Sequence, residues 1–210
     1  MKDVFLYPLE NLEEYNELLN QINSSGNIVT SGLINSQNTH IIYSLFENLK
    51  KQIIFVTSSD LEAKKVYEDL NVYILDYIEY LGFEDVLFYH LDAKDRTQDA
   101  KKLKVLMRLI NNENFVLVTS VEAILKKYIP KDILAKNIYD YKVSDTINID
   151  EFNKKLVELG YERVSKVEGF GQFSIRGGII DIFSLQYSNP IRIELFDDEI
   201  ESIRIFDVFS

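Results

Sequence analysis

The feature that most restricts the fold is a stretch between residues 172 and 206, in which three strand-like runs are separated by short turns. Residues 191–196 alternate between two faces, with Ile191, Ile193 and Leu195 on one and Arg192, Glu194 and Phe196 on the other. Asp197 and Asp198 are typical turn residues, and the chain returns as a strand over 200–206. The pattern predicts an antiparallel sheet with one apolar face and one polar face.

The polar face of this predicted sheet has two interpretations. Strand faces in contact with solvent usually carry charge, so the pattern alone favours an ordinary solvated face. The alternative is a docking surface formed by Arg176, Arg192 and Glu194. The glycine pair Gly177-Gly178 is interpreted as serving the backbone, through a bulge or a close approach.

The first 125 residues alternate between predicted helices and strands, which is typical of βαβ units around a parallel sheet. Helices are predicted over 9–22, 39–50, 60–70, 99–110 and 121–128. Strands are predicted over 27–33, 53–57 and 115–119, with further candidates over 72–75 and 86–89. The run at 53–57 is continuously apolar, which predicts a strand that is covered on both faces.

The sequence pattern changes after Pro130, because residues 132–149 are polar and their apolar residues are only weakly periodic. A helix follows over 150–159, with Asp150 as the expected N-cap and Gly160 at the C′ position. The sequence therefore predicts two domains, residues 1–125 and 126–210. The fold class is α/β for the first and α+β, with a mostly antiparallel sheet, for the second.

Charge and composition narrow the function classes. The 210 residues carry a net charge of −11, and the first 125 contribute 11 basic and 19 acidic side chains. Such an acidic body disfavours unaided binding of nucleic-acid phosphates and favours a protein partner. There are no cysteines, no apolar run long enough to span a membrane, and only two histidines, His40 and His90. We expect no metal site and no membrane association. The lack of cysteines is consistent with a protein of the reducing cytoplasm.

The turn at Gly32 has the layout of a phosphate-binding loop, with a predicted strand before it and a helix after it. Such a loop requires a second glycine followed by lysine and a hydroxyl residue. Here the corresponding positions are Gln37, Asn38 and Thr39. The cation that would neutralise the phosphates is missing, and Gln37 brings a Cβ where the backbone should approach closely. Without further information, a plain turn is favoured.

The residues from Leu159 to Asp207 resemble a segment of a known protein family. They read LGYERVSKVEGFGQFSIRGGIIDIF, followed after six residues by PIRIELFDDEIESIRIFD. This run resembles the segment shared by UvrB and by bacterial transcription-repair coupling factors of the Mfd type. The first 125 residues resemble these proteins more weakly, through the incomplete phosphate-binding loop at Gly32 and through the predicted order of helices and strands.

Two departures from UvrB point to the coupling-factor branch. UvrB has an intact loop ending in Gly-Lys-Thr, whereas this chain has Gln37-Asn38-Thr39. UvrB also carries a long aromatic hairpin that clamps DNA, and residues 72–98 are too short to contain one. The resemblance implies a RecA-like parallel-sheet domain with a degenerate loop, followed by a smaller domain that binds UvrA. It also implies that this module neither binds nucleotide nor opens DNA.

The resemblance assigns the UvrA-binding residues. By motif, these are Arg176, Arg192 and Glu194, together with Arg163, which matches a position that is often basic in the coupling factors. A further arginine of UvrB falls on Ser174, which weakens the electrostatic part of the docking hypothesis. No residue of this chain is expected to be catalytic.

The family also implies partners and cofactors beyond this segment. In the coupling factors, RNA polymerase and DNA bind through other regions, and ATP with Mg²⁺ serves a motor of helicase type that translocates on DNA. An intramolecular contact with that motor is a further implied role. For the segment itself we expect no cofactor. Two alternatives stay open, namely a UvrB-like NTPase with an unusual loop and a nucleic-acid-binding module.

Overall fold

The computed structural model describes residues 4–24, 26–34, 36–83 and 96–208. Among these, one compact unit takes in the residues up to 83 and residues 111–127, and the second takes in 96–110 and 128–208. The division after residue 127 lies close to the predicted domain boundary. Residues 96–110, which were expected in the first domain, group with the second unit.

The described helices and strands alternate in the first part of the chain, and most of the strands follow residue 160. The helices are α1 (Tyr7–Glu10), α2 (Glu13–Ile22), α3 (Ser36–Leu49), α4 (Asp60–Asn71), α5 (Arg96–Ile110), α6 (Val121–Ile124), α7 (Lys131–Lys136) and α8 (Ile149–Glu158). The strands are β1 (Ile53–Thr57), β2 (Ile78–Leu81), β3 (Val116–Ser120), β4 (Glu162–Arg163), β5 (Gln172–Arg176), β6 (Ile179–Phe183), β7 (Ile191–Phe196) and β8 (Glu199–Ile205). None of the helices in the described ranges is both long and apolar enough to cross a membrane.

The first unit is built on a parallel sheet in the order β1-β3-β2, which confirms the predicted α/β class. Val116 pairs with Ile53 on one side and with Ile78 on the other. Every residue of β3 is buried. Apolar side chains of α3, α4 and the sheet form one core, which includes Ile42, Phe46, Leu70, Val116 and Val118. Ser59 caps α4 by accepting a hydrogen bond from the Glu62 amide.

The prediction that β1 is covered on both faces is wrong for this structure. β1 is an edge strand of the sheet. Ile53 and Phe55 pack against the core, whereas Ile54 and Val56 are 48% and 41% exposed. An apolar run shows only that both faces can be buried, and the neighbouring elements decide whether they are.

Two predicted strands of the first unit are also wrong. Residues 27–33 have no strand partner among the described residues, and Val29 is almost fully exposed. An apolar run becomes a strand only when another strand supplies its hydrogen bonds. Residues 72–75 form a turn that leads into a short 3₁₀ helix, Leu75–Tyr77, and the strand is β2 instead. The candidate strand over 86–89 lies outside the described residues.

The second unit contains a five-stranded sheet in the order β4-β5-β6-β7-β8. β4 and β5 are parallel, and the remaining pairs are antiparallel, which confirms the predicted α+β class. The alternation predicted for β7 is confirmed, because Ile193 lies in the core with Phe152 and Leu156 of α8. A register shift after Glu194 gives β7 and β8 a bulge.

Helix ends in this part of the chain follow local capping chemistry. The N-cap of α8 is Asn148, whose side chain accepts a hydrogen bond from the Glu151 amide at 3.1 Å, so the expected cap at Asp150 is wrong by two residues. Gly160 follows the helix with φ +84°, which confirms the predicted C′ glycine. α6 ends at Ile124, earlier than expected, and α7 lies in a segment whose periodicity was too weak to predict it.

Candidate partner-binding surface

A buried carboxylate organises the polar face of the five-stranded sheet. The strand register places Asp181 of β6 directly opposite Arg192 of β7. Oδ1 of Asp181 accepts the Arg192 Nε–H at 2.6 Å, and Oδ2 accepts an Nη2–H of Arg192 at 2.9 Å. Oδ2 also accepts an Nη2–H of Arg176 at 2.8 Å. One carboxylate therefore holds two of the predicted site arginines, Arg176 and Arg192.

Burial increases from the arginines to the carboxylate. The side chain of Asp181 is 3% exposed, that of Arg192 is 28% exposed, and that of Arg176 is 55% exposed. A buried carboxylate is stable only when its oxygens are hydrogen-bonded and its charge is paired, and both conditions are met here. The hydrogen bond to Asp181, with the nearby charges of Asp181 and Glu194, raises the pKa of Arg192 above its ordinary value, although partial burial acts in the opposite direction.

The loop before β5 contacts the face that carries Asp181, a face that looked solvent-exposed in sequence. Ser174, which lies opposite Asp181 on β5, donates from Oγ to the Ser165 carbonyl at 3.2 Å. Further along the same face, the rings of Phe170 and Phe183 lie 4.5 Å apart. These contacts cover part of the face and leave the outer parts of the arginines accessible.

A second charged group adjoins the first on β7 and β8. Glu194 pairs with Arg204, and its Oε2 accepts a hydrogen bond from the Ser202 hydroxyl at 2.8 Å. Because Arg204 lies directly opposite Arg192, the two positive side chains are separated by pairing with different carboxylates. The Arg192 guanidinium also lies over the Phe206 ring, 4.9 Å from its centroid.

We call this surface the arginine face. Its members are Arg176, Asp181, Arg192, Glu194, Phe196, Ser202 and Arg204. Phe196 follows the alternation of β7 onto this face and is 76% exposed. The face therefore combines charged groups whose geometry is fixed with one large exposed aromatic ring, a composition found in protein interfaces.

Arg163 does not lie with the other predicted site residues. It is exposed on β4, where its register partner is Phe173 of β5. Since Phe173 belongs to the buried core, the register places Arg163 on the opposite side of the sheet from Asp181. The structure thus brings together Arg176, Arg192 and Glu194 and separates Arg163 from them.

Sequence reasoning missed Asp181 and Arg204 as members of this surface. The signal for Asp181 was available, because it is the one charged residue in the otherwise apolar run 179–183. Arg204 lies at an alternating position of the last strand. Both assignments require the register between strands, which a single sequence does not specify.

The loop at Gly32 differs from a phosphate-binding loop in its hydrogen bonding as well as in its missing lysine. α3 begins at Ser36, so Gln37, Asn38 and Thr39 lie in its first turn. Gln37 accepts the Ile34 backbone N–H through Oε1 at 2.9 Å. A side chain of the loop therefore occupies a backbone donor near the helix start, where a phosphate-binding loop directs such groups at its ligand. Thr39 is buried, with only 3% of its surface exposed, and Gly32 keeps the positive φ of a turn, +84°.

A cleft of about 570 Å³ lies beside this loop, between α2, the segment 28–33 and the start of α3. The described residues that line it include Glu14 and Glu17 but neither lysine nor arginine. His40 also lines the cleft, and its Nε2 contacts the Phe5 carbonyl. The other histidine, His90, lies outside the described residues. An acidic wall of this kind repels polyphosphate.

The fold and the arginine face define the class of the second unit. Residues 140–210 match the family of the UvrB interaction domain, a range that includes α8 and the whole five-stranded sheet. The α/β unit before it contains a parallel sheet, and it has Gln37 and Asn38 where a phosphate-binding loop has glycine and lysine.

Whole-chain comparisons show which proteins the chain is similar to. The chain is 31% identical over 210 residues, 99% of its length, to the transcription-repair-coupling factor of Staphylococcus haemolyticus. It is 33% and 31% identical over 191 residues, 90% of its length, to those of Staphylococcus epidermidis and Staphylococcus aureus. The chain is therefore similar over most of its length to the transcription-repair-coupling factors, and its residues 140–210 match the UvrB interaction domain. It spans less than a fifth of the length of these relatives, 18% of the first and 16% of the other two.

Proposed function

We propose that this module docks the excision-repair protein UvrA through the arginine face. The observation that carries the proposal is the joint presentation of Arg176 and Arg192 by Asp181 on an accessible side of the sheet. Support also comes from the match of residues 140–210 to the UvrB interaction domain.

The chemistry of the surface suits an acidic protein partner. A guanidinium has five N–H donors, and the hydrogen bonds to Asp181 use two of those on Arg192 and one on Arg176. The donors that are not directed at Asp181 can bind carboxylates of a partner, and arginine at an interface is a frequent hot spot. Phe196 supplies an apolar contact beside them.

We further propose that the module does not hydrolyse nucleotide. Asn38 stands in place of the lysine, the Ile34 amide is bound to Gln37, and glutamates line the neighbouring cleft. Each feature removes favourable interactions with a triphosphate or adds repulsion. ATP hydrolysis with Mg²⁺, DNA translocation and RNA polymerase binding in transcription-coupled repair are proposed for other regions of the full-length family protein.

A calorimetric titration of UvrA with the purified chain tests the docking proposal. Arg176→Ala and Arg192→Ala are each expected to weaken binding by about 1–3 kcal/mol without unfolding the module. Arg163→Ala is the matched control, because it removes an exposed arginine from the other side of the same sheet. Unchanged UvrA affinity in both arginine-face variants would refute the proposal. An equal loss of affinity in Arg163→Ala would show that binding depends on the net charge of the module and not on the arginine face.

A further inference from the structure

The central carboxylate of the arginine face is placed so that it cannot bind a partner itself. Asp181 is almost fully buried, and both of its oxygens accept hydrogen bonds from guanidinium groups. Its influence on any partner must therefore pass through Arg176 and Arg192.

The geometry of the two bonds to Arg192 restricts that side chain strongly. A carboxylate that binds Nε–H and Nη2–H together fixes the plane of the guanidinium, in addition to its position. Phe206 packs against the guanidinium as well. A side chain fixed in this way loses less conformational entropy when a partner binds, so more of the contact energy appears as affinity.

Charge balance gives the carboxylate a second effect. Arg176 and Arg192 bind the same oxygen, Oδ2 of Asp181, which brings their positive groups close together. The negative charge of Asp181 offsets their mutual repulsion and leaves the trio with one net positive charge. A carboxylate on the partner would then continue an alternating series of negative and positive groups.

We propose that Asp181 is a positioning residue for partner recognition, which holds the two guanidinium groups ready for a carboxylate-bearing protein surface. This inference rests on the proposed docking of UvrA. The bond network that it requires, however, can be measured in the chain without any partner.

The first measurement follows the arginine Nε–H groups of the free wild-type chain by ¹H–¹⁵N NMR. Arg192 is expected to give a resolved, slowly exchanging Nε–H signal, whereas exposed Arg163 is the internal control with fast exchange. Asp181→Asn, which keeps the shape of the side chain but removes its charge, should bring Arg192 exchange close to that of the control. Fast exchange of Arg192 in the wild-type chain would overturn the proposal, and this result does not depend on whether a variant folds.

The second measurement is UvrA affinity in a double-mutant cycle. Asp181→Asn is expected to weaken binding roughly tenfold in the wild-type background and to have little further effect when Arg176 and Arg192 are both alanine. If Asp181→Asn leaves the affinity unchanged while the alanine variants lose binding, the positioning role is refuted and the docking proposal stands. If the arginine variants also bind normally, the docking proposal itself fails.

Discussion

Asp181 and Arg192 are direct partners across β6 and β7, and the carboxylate of the first binds both the Nε–H and an Nη2–H of the second. The bond links a residue with a 3% exposed side chain to one that is 28% exposed. It therefore couples the stability of the sheet to the geometry of its accessible face. The two arginines of this face should consequently differ in their effects on stability.

Arg192→Ala is expected to lower the free energy of unfolding by about 1–3 kcal/mol, because it removes two of the three hydrogen bonds that satisfy the buried Asp181 carboxylate. Arg176→Ala removes only one bond from a side chain that is 55% exposed, so its effect should stay below about 1 kcal/mol. Urea unfolding followed by circular dichroism measures both. The opposite order of the two effects would contradict the assigned bonding.

Gly178 is predicted to be intolerant of any side chain. A Cβ at this position would lie 2.8 Å from the Leu195 carbonyl oxygen, and the Leu195 amide donates to the Gly178 carbonyl at 2.7 Å. Gly178→Ala must displace backbone and is expected to cost about 1–3 kcal/mol of unfolding free energy. This finding agrees with the interpretation of the glycine pair as a backbone requirement.

Gly177 provides the matched comparison for that experiment. Its φ is +59°, and a Cβ there would meet open space. Gly177→Asn should therefore be nearly neutral, since asparagine tolerates this conformation better than most residues, and Gly177→Ala should cost about 1 kcal/mol. Equal losses for Gly177→Asn and Gly178→Ala in thermal unfolding would show that the close approach is not the cause.

The stability of the first unit should depend on pH above the ordinary pKa of tyrosine, near 10. Burial, followed by a hydrogen bond and charge repulsion from Asp60, raises the pKa of Tyr80. The folded state therefore keeps this proton at pH values where the unfolded state has lost it. The stabilising contribution is fully present below pH of about 10 and is lost as the pH rises further.

Tyr80→Phe should remove this part of the alkaline loss of stability, while Tyr7→Phe, at an exposed tyrosine of the same unit, should leave it unchanged. The measurement is a series of urea unfolding curves between pH 8 and pH of about 11. An identical pH profile for the wild-type chain and Tyr80→Phe would contradict the assignment.

The chain is expected to show no saturable ATP binding in the micromolar range, with or without Mg²⁺. The reason is the combination of Asn38, the occupied Ile34 amide and an adjoining cleft that contains Glu14 and Glu17. Isothermal titration calorimetry is the direct measurement. Saturable binding that Thr39→Ala or Gly32→Val abolishes would show that the loop still functions.

Several features of the fold follow from residues close together in sequence. The faces of β7 come from the period of two in an extended chain, and the helix stop at Gly160 comes from the backbone conformation that glycine permits. The succession of α5, β3 and α6 likewise follows from local periodicity. The placement of Arg192 and Glu194 on one face was therefore predictable, as was the loss of the phosphate-binding lysine at Asn38.

Only the tertiary structure decided which of these residues meet. The register of β6 against its neighbours brings Asp181 to both arginines, and the parallel pairing of β4 places Arg163 on the other side of the sheet. In the same way, the lack of a neighbouring strand among the described residues leaves 27–33 outside the sheet. The physical reason is that register, burial and strand partners depend on contacts between distant parts of the chain, whereas local sequence determines only what each segment can offer.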